Sequence, residues 1–138
     1  MRARLIVVAV LVAVAAAPAA EGKITPKMNK RVAAPGERVT VDFTSDVMHY
    51  LAPFYVALVP VKAAPTLRGR NDRRQTVVGK LGTEGEQMSN SKLSFRVPAL
   101  PAGRYALAVW FKGSATRRWH NLVEGRWRPS LVLRVHRG

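Results

Sequence analysis

The sequence predicts an all-β fold: a two-layer antiparallel sandwich of about seven strands, preceded by an N-terminal signal helix. Three observations carry this. Apolar residues after position 20 recur at every second place, as in "RVTVDFTS" and "KLSFRVP", and that period belongs to a strand with one buried face. No stretch beyond residue 20 keeps a helical period for three turns. Gly, Pro and Asn-Asp signals cut the chain into short segments, within a length that suits one domain with a real core.

The first twenty residues read as a targeting segment. Arg2 and Arg4 form a basic start, "LIVVAVLVAVAAA" is an apolar run, and "APA" at Ala17 to Ala19 offers a small-residue cleavage site near Ala19 or Ala20. The rival reading is an uncleaved anchor. Against it, the apolar run from Leu5 to Ala20 carries Pro18 and falls short of the ~20 residues a spanning helix needs. The expected division is residues 1–20 as a signal peptide and 21–138 as the sandwich domain, secreted or held in the periplasm or cell envelope. No membrane span is expected after the signal is removed.

In "EGKITPKMNKRVAAPGE", Pro26, Pro35 and Gly36 break a polar segment into an edge strand and a turn. Val39, Val41 and Phe43 then alternate with Thr40, Asp42 and Thr44. "FYVALVPVK", Phe54 to Lys62, is apolar on both faces, so it is expected in the middle of a sheet, ending or bulging at Pro60. "AAPTLRGRNDRR", Ala63 to Arg74, is an exposed loop by its Pro65, Gly69 and Asn71-Asp72. "QTVVGKLG" is a short strand and "TEGEQMSNS" a loop. Leu93, Phe95 and Val97 share one face of the next strand; Tyr105, Leu107 and Val109 share one face of "GRYALAVWF". Leu131, Leu133 and Val135 do so in the last, "SLVLRVHR".

"LPAGRY", Leu100 to Tyr105, sits before the penultimate strand, where a tyrosine corner places a Gly-x-Tyr whose hydroxyl bonds to upstream backbone. With "APGERVTV" and "FRVPALPAGRYALAVW", the chain resembles bacterial secreted immunoglobulin-like or fibronectin-III-like sandwiches. The likeness covers about two strands and their turns. It implies a fold and no activity.

Composition narrows the chemistry. There is no cysteine, which removes disulfides, a lipid-anchored lipoprotein, a thiolate copper site, a Cys-rich zinc site and a thiol nucleophile. The chain carries 23 Lys+Arg against 8 Asp+Glu. Taking away Arg2 and Arg4 leaves 21 against 8, or +13, on residues 21–138. Such a field concentrates polyanions without choosing among them. An Arg-rich composition that reflects coding bias is the alternative reading of the same charge.

Two basic segments are the candidate anion-binding residues. "RRWHNLVEGRWR" supplies Arg117, Arg118, Trp119, Arg126, Trp127 and Arg128, and the loop 63–74 supplies Arg68, Arg70, Arg73 and Arg74. Guanidinium forks match phosphate and carboxylate oxygens and stack on aromatic faces. If both loops reach the same end of the sandwich they form one basic basin. Alternatively, "RWHNLVEGRWR" is itself a β-hairpin, with Trp119 and Trp127 packed cross-strand and the arginines in water.

A metal reading rests on His49, His120 and His136, with Met28 and Met48, because small exported copper-resistance proteins share this architecture. The chain lacks their N-terminal histidine, a Met-rich run and His-x-His. For hydrolysis, Glu84 and Glu86 flank Gly85 in a loop, Asp42 and Asp46 stand isolated, and no nucleophile motif is present. The expectation is therefore a non-catalytic module without cofactor. Its expected partner is an anionic cell-envelope polymer or another envelope protein; export removes intracellular nucleic acid from the expected partners.

Overall fold

The computed structural model describes residues 24–45, 50–84, 90–113, 119–121 and 131–137. The expected signal segment, residues 1–20, lies outside them. In chain order the strands are β1 (Ile24–Met28), β2 (Val32–Ala33), β3 (Arg38–Ser45), β4 (Tyr50–Pro60), β5 (Thr76–Leu81), β6 (Ser91–Arg96), β7 (Gly103–Gly113), β8 (Trp119–Asn121) and β9 (Val132–Val135). One sheet has the order β1-β3-β6 and the other β2-β9-β7-β4-β5, with β8 paired to β7. Every pairing is antiparallel except that of β2 with β9.

The core lies between the sheets. Val39, Val41 and Phe43 of β3, with Phe95 and Val97 from the β6 region, meet Phe54, Val56 and Leu58 of β4, Leu107, Val109 and Phe111 of β7, and Leu133 and Val135 of β9. The Phe43 and Phe54 rings meet edge to face across the gap, with centroids 6.5 Å apart. This is the stacking expected of a sandwich whose strands bury alternate residues. The architecture is all-β and two-layered.

Two strands, β2 and β8, exceed the expected seven. The leading segment does not stay on one edge. At Asn29 the backbone and side chain both bond Thr40, through Asn29 N–H to Thr40 O at 3.0 Å and Thr40 N–H to Asn29 Oδ1 at 2.9 Å. The chain then crosses to the other sheet as β2, where Arg134 N–H donates to Arg31 O at 2.8 Å. It returns through a tight turn in which Glu37 N–H donates to Ala34 O at 3.1 Å. Pro35 fits the first corner, and Gly36, at φ 86°, the second, which requires a left-handed residue. The other additional strand, β8, extends the second sheet beside the far end of β7.

β4 and β7 depart from simple alternation in an informative way. Their inner residues belong to the main core, but Ala57, Val59, Ala106, Ala108 and Trp110, on the opposite face, are also buried. The expected alternation in "GRYALAVWF" is thus apolar in both phases. Something must cover that outer face, and the covering segment is the arginine loop.

Candidate anion-binding site

The segment after Pro60 turns at once. Ala63 N–H donates to Pro60 O at 2.8 Å and Thr66 N–H to Ala63 O at 3.0 Å, around a single 3-10 turn at Ala64–Thr66. Pro65 suits the start of that turn, where its missing N–H costs nothing. Ala64 is buried, and Leu67 packs beside it on the outer cluster of β4 and β7. The small side chains of Ala57, Ala106 and Ala108 let the loop backbone approach the sheet closely.

Asp72 organises the arginine-bearing part of the loop. Its carboxylate accepts the backbone N–H of Arg68 and of Arg74, each at 3.0 Å. The Arg74 guanidinium adds a fork, Nε to Oδ1 at 3.0 Å and Nη2 to Oδ2 at 2.8 Å. Arg74 also donates through Nη1 to Thr66 Oγ1 at 2.7 Å and through Nη2 to Thr66 O. Only 6 % of the Asp72 side chain is exposed. The Arg74 side chain, and after it the two backbone donors, hold the Asp72 carboxyl well below the usual carboxylate range; the side-chain hydrogen bond to Asp72 raises Arg74 in turn. Arg74 is therefore committed to the frame of the loop.

Gln75 fixes the loop to the sheet. Its Nε2 donates to Gly69 O at 3.0 Å and to Arg70 O at 2.6 Å, while its Oε1 accepts from Trp110 Nε1 at 2.9 Å. Arg70 then lies over the Tyr55 ring at 4.4 Å from the centroid, with Lys80 at 5.8 Å from the same ring. Arg68 and Arg73 are left exposed. Residues 68–74 line an open hollow of about 630 Å³. Four arginines less one aspartate leave +3 on this short stretch, with Arg68 and Arg73 placed to meet an anion and Arg70 held against an aromatic face.

Of the other described carboxylates, two pair with lysines. Glu37 lies 3.7 Å from Lys30 and Asp42 3.6 Å from Lys92, both far from the loop in the chain, and Glu84 is exposed.

The two basic segments do not leave the sandwich at one end. The loop that carries Arg68 to Arg74 departs where Pro60 pairs with Tyr105, whereas the connection toward Trp119 departs where Tyr50 pairs with Gly113. Eight residue steps of β7, from Tyr105 to Gly113, separate these points, about 27 Å at ~3.4 Å per residue, β4 having extra residues in an irregularity between Leu51 and Tyr55. The segments approach one another because the arginine loop folds back along the sheet: Gln75 reaches Trp110, whose backbone partner on β8 is Asn121. Trp119, His120 and Asn121 form β8 against Lys112, Phe111 and Trp110 of β7. Arg117, Arg118, Arg126, Trp127 and Arg128 lie outside the described residues, as does any pairing of Trp127 with Trp119.

The two described histidines, His120 and His136, do not converge. His120 pairs with Phe111 near one end of β7, while His136 follows Val135, the partner of Gly103 at the other end. Some eight residues of strand, about 27 Å, separate them, so one ion cannot take both as ligands. His136 Nδ1 instead lies 2.8 Å from Arg137 O. His49 lies outside the described residues. Tyr105 donates its hydroxyl proton to Pro101 O at 2.7 Å, closing the turn that precedes β7, and burial raises its pKa.

Tyr55, Thr66, Gln75 and Trp110 are the positions holding the loop that sequence reading missed. The available signal was the second apolar phase of β7, Ala106-x-Ala108-x-Trp110, which required a covering segment.

No protein-family model matches the chain, and no curated protein matches it. Among solved structures it is similar to one described as "Structure of T.fusca AA10A", with 14 % sequence identity and a TM-score of 0.47. That likeness covers 76 % of this chain and 50 % of the other, so the chain spans half the length of the protein it matches. It corrects one expectation: a non-catalytic chain was expected, and the structure it resembles is that of an enzyme. At this identity the likeness assigns the chain no reaction.

Proposed function

We propose that residues 21–138 form an exported, immunoglobulin-like sandwich that associates with an anionic cell-envelope polymer, or with an acidic envelope protein, through the arginine loop 68–74. The observation that carries this reading is the division of labour in the loop. Asp72 and Arg74 neutralise each other and set the backbone, Arg70 is stacked on Tyr55, and Arg68 and Arg73 remain exposed on a frame that Gln75 ties to Trp110. The frame that covers the outer face of β4 and β7 also fixes the backbone from which Arg68 and Arg73 project. The order β1-β3-β6 against β2-β9-β7-β4-β5, with the Tyr105 corner, supports the immunoglobulin-like assignment. The basic start and apolar run of residues 1–20 support export.

Arg68 and Arg73 changed together to Gln test the reading. Binding of the wild-type chain to a soluble polyphosphate and to a teichoic-acid-type polymer should weaken steeply with added salt. The double variant should bind about tenfold more weakly at low salt, from two exposed cation contacts of roughly 0.5–1 kcal/mol each. Equal binding by variant and wild type removes the loop from the site.

A further inference from the structure

The outer faces of the two sheets differ. On the second, an apolar patch of β4 and β7 lies under the arginine loop, with Arg104 opposite Arg134 and Lys80 outside that patch, whereas the outward positions of the first are polar and open. On the first sheet, outward positions on β1 are Thr25 and Lys27, with Asn29 just beyond its end; on β3, Arg38, Thr40, Asp42 and Thr44; on β6, Lys92, Ser94 and Arg96. All are exposed except Thr40 and Asp42, which are half-buried.

Strand register sorts these side chains into rows. Lys27, Asp42 and Lys92 are paired across the three strands, and Arg38 is directly opposite Arg96. Between the two cationic rows lies a neutral one: Asn29 bonds the Thr40 backbone, Thr40 Oγ1 and Ser94 Oγ share a hydrogen bond at 2.8 Å, and Thr40 is opposite Ser94. Asp42 and Arg38 are four residues apart, so the charged rows stand about 14 Å from one another, with strands ~4.8 Å apart. Lys27, Arg38, Lys92 and Arg96 against Asp42 give the face +3. Arg38 beside Arg96 is a like-charge cross-strand pair, which costs stability unless an anion offsets it. One Arg96 nitrogen, Nη1, is turned aside to Gly36 O at 3.0 Å.

We propose that this face is a second contact surface and that it takes an anionic polysaccharide in which charged units alternate with neutral, hydroxyl-bearing rings. Charge complementarity and the row pattern carry the assignment: a row of two lysines about Asp42 with net +1, a hydroxyl and amide row, and the Arg38–Arg96 row with +2. A lipid surface would need apolar side chains to bury, and the large exposed hydrophobic residues among those described, Val32 and Val77, belong to strands of the other sheet. Single-stranded nucleic acid is held by aromatic stacking platforms, and none of the outward side chains here is aromatic. The assignment extends the polyanion reading to a different face, so the two can fail separately.

The test uses hyaluronan oligosaccharides, in which a uronate alternates with a neutral ring, beside a single-stranded oligonucleotide of equal charge. Four full-length proteins are compared: wild type, the sheet variant Lys27→Gln/Arg38→Gln/Lys92→Gln/Arg96→Gln, the loop variant Arg68→Gln/Arg73→Gln, and Thr40→Val/Ser94→Ala. The expected result is tighter binding of wild type to hyaluronan than to the oligonucleotide, and at least about a tenfold loss in the sheet variant. Thr40→Val/Ser94→Ala, which keeps every charge, should lose several-fold on hyaluronan alone. Arg38→Gln and Lys27→Gln singly, each expected to cost about threefold, replace the sheet variant if its melting temperature falls. Hyaluronan binding equal to wild type in the sheet variant, or preference for the oligonucleotide in wild type, overturns the proposal. Loss in the loop variant alone overturns it while leaving the loop reading intact, and absence of any polyanion binding by wild type overturns both.

Discussion

Replacing Gln75 with Ala should unlatch the arginine loop while leaving the sandwich folded. The side chain makes three hydrogen bonds: two to the loop carbonyls of Gly69 and Arg70 and one from Trp110 Nε1. The two carbonyls are in half-buried residues and can turn to water, at roughly 0.5 kcal/mol each. Trp110 is only 5 % exposed, so its indole N–H loses its partner in a covered site, at roughly 1–2 kcal/mol. The sum is about 2–3 kcal/mol drawn from the free energy of local opening, and its lower end sets the smallest expected effect. Trypsin reads this directly, since Arg68, Arg70, Arg73 and Arg74 are all cleavage sites and the ordered backbone must open before it is cut. An opening equilibrium shifted by about 2 kcal/mol raises the cleavage rate about thirtyfold, with first cuts inside residues 68–74. A rate within threefold of wild type, in a variant whose far-UV spectrum is unchanged, would refute the claim that Gln75 holds the loop.

Three more outcomes rest on the same geometry. A Cβ on Gly79 would meet Leu93 Cδ2 at 2.7 Å and Cδ1 at 2.8 Å. Gly79→Ala should therefore cost about 1–2 kcal/mol in denaturant unfolding, and Leu93→Ala should relieve part of that in a double-mutant cycle; strict additivity would count against the clash. Tyr105→Phe should lower stability by about 1 kcal/mol through the lost bond to Pro101 O, and in ultraviolet titration the wild-type chain should show a phenol ionising above the usual ~10. Because the Asp72 pKa is depressed in the fold, its contribution is present above the unfolded value of ~3.9 and is lost as pH falls through the lower folded value. The Arg68 and Arg74 amide resonances should accordingly titrate below pH ~3.9, and a midpoint at or above that value would contradict the described hydrogen bonds.

The strands could be read from the chain because period two is a local property. Val39-Val41-Phe43 and Leu133-Val135 face the core where alternation puts them, and Pro60 ends β4 as its missing N–H dictates. The double apolar phase of "FYVALVP" signalled a central strand, and β4 does lie between β7 and β5. The passage of the leading segment from one sheet to the other was not legible, because it depends on Asn29 meeting Thr40 and Arg31 meeting Arg134, and no pattern near residue 30 encodes the position of residue 134. The site shows the same contrast. Arginine content marked the loop 63–74, but which arginine is structural depends on Asp72 and Thr66, and the latch depends on Trp110, far along the chain from Gln75. The two basic segments start from opposite ends of the β4–β7 pair, because loops that leave neighbouring antiparallel strands in the same chain sense depart from opposite ends; the arginines of the second segment lie outside the described residues.

The parallel pairing of β2 with β9 imposes an order of events on the chain. Val32 and Ala33 find their partners only at Arg134 and Val135, so a polypeptide emerging N-terminus first, from a ribosome or from a translocation pore, carries a short unpaired segment until its last strand has appeared. Such non-local closure is slow in folding, and an incomplete sheet offers its free edge to other chains. Truncation after β7 would therefore do more than delete a strand: it would leave β2 with nothing to join and make the released chain prone to self-association.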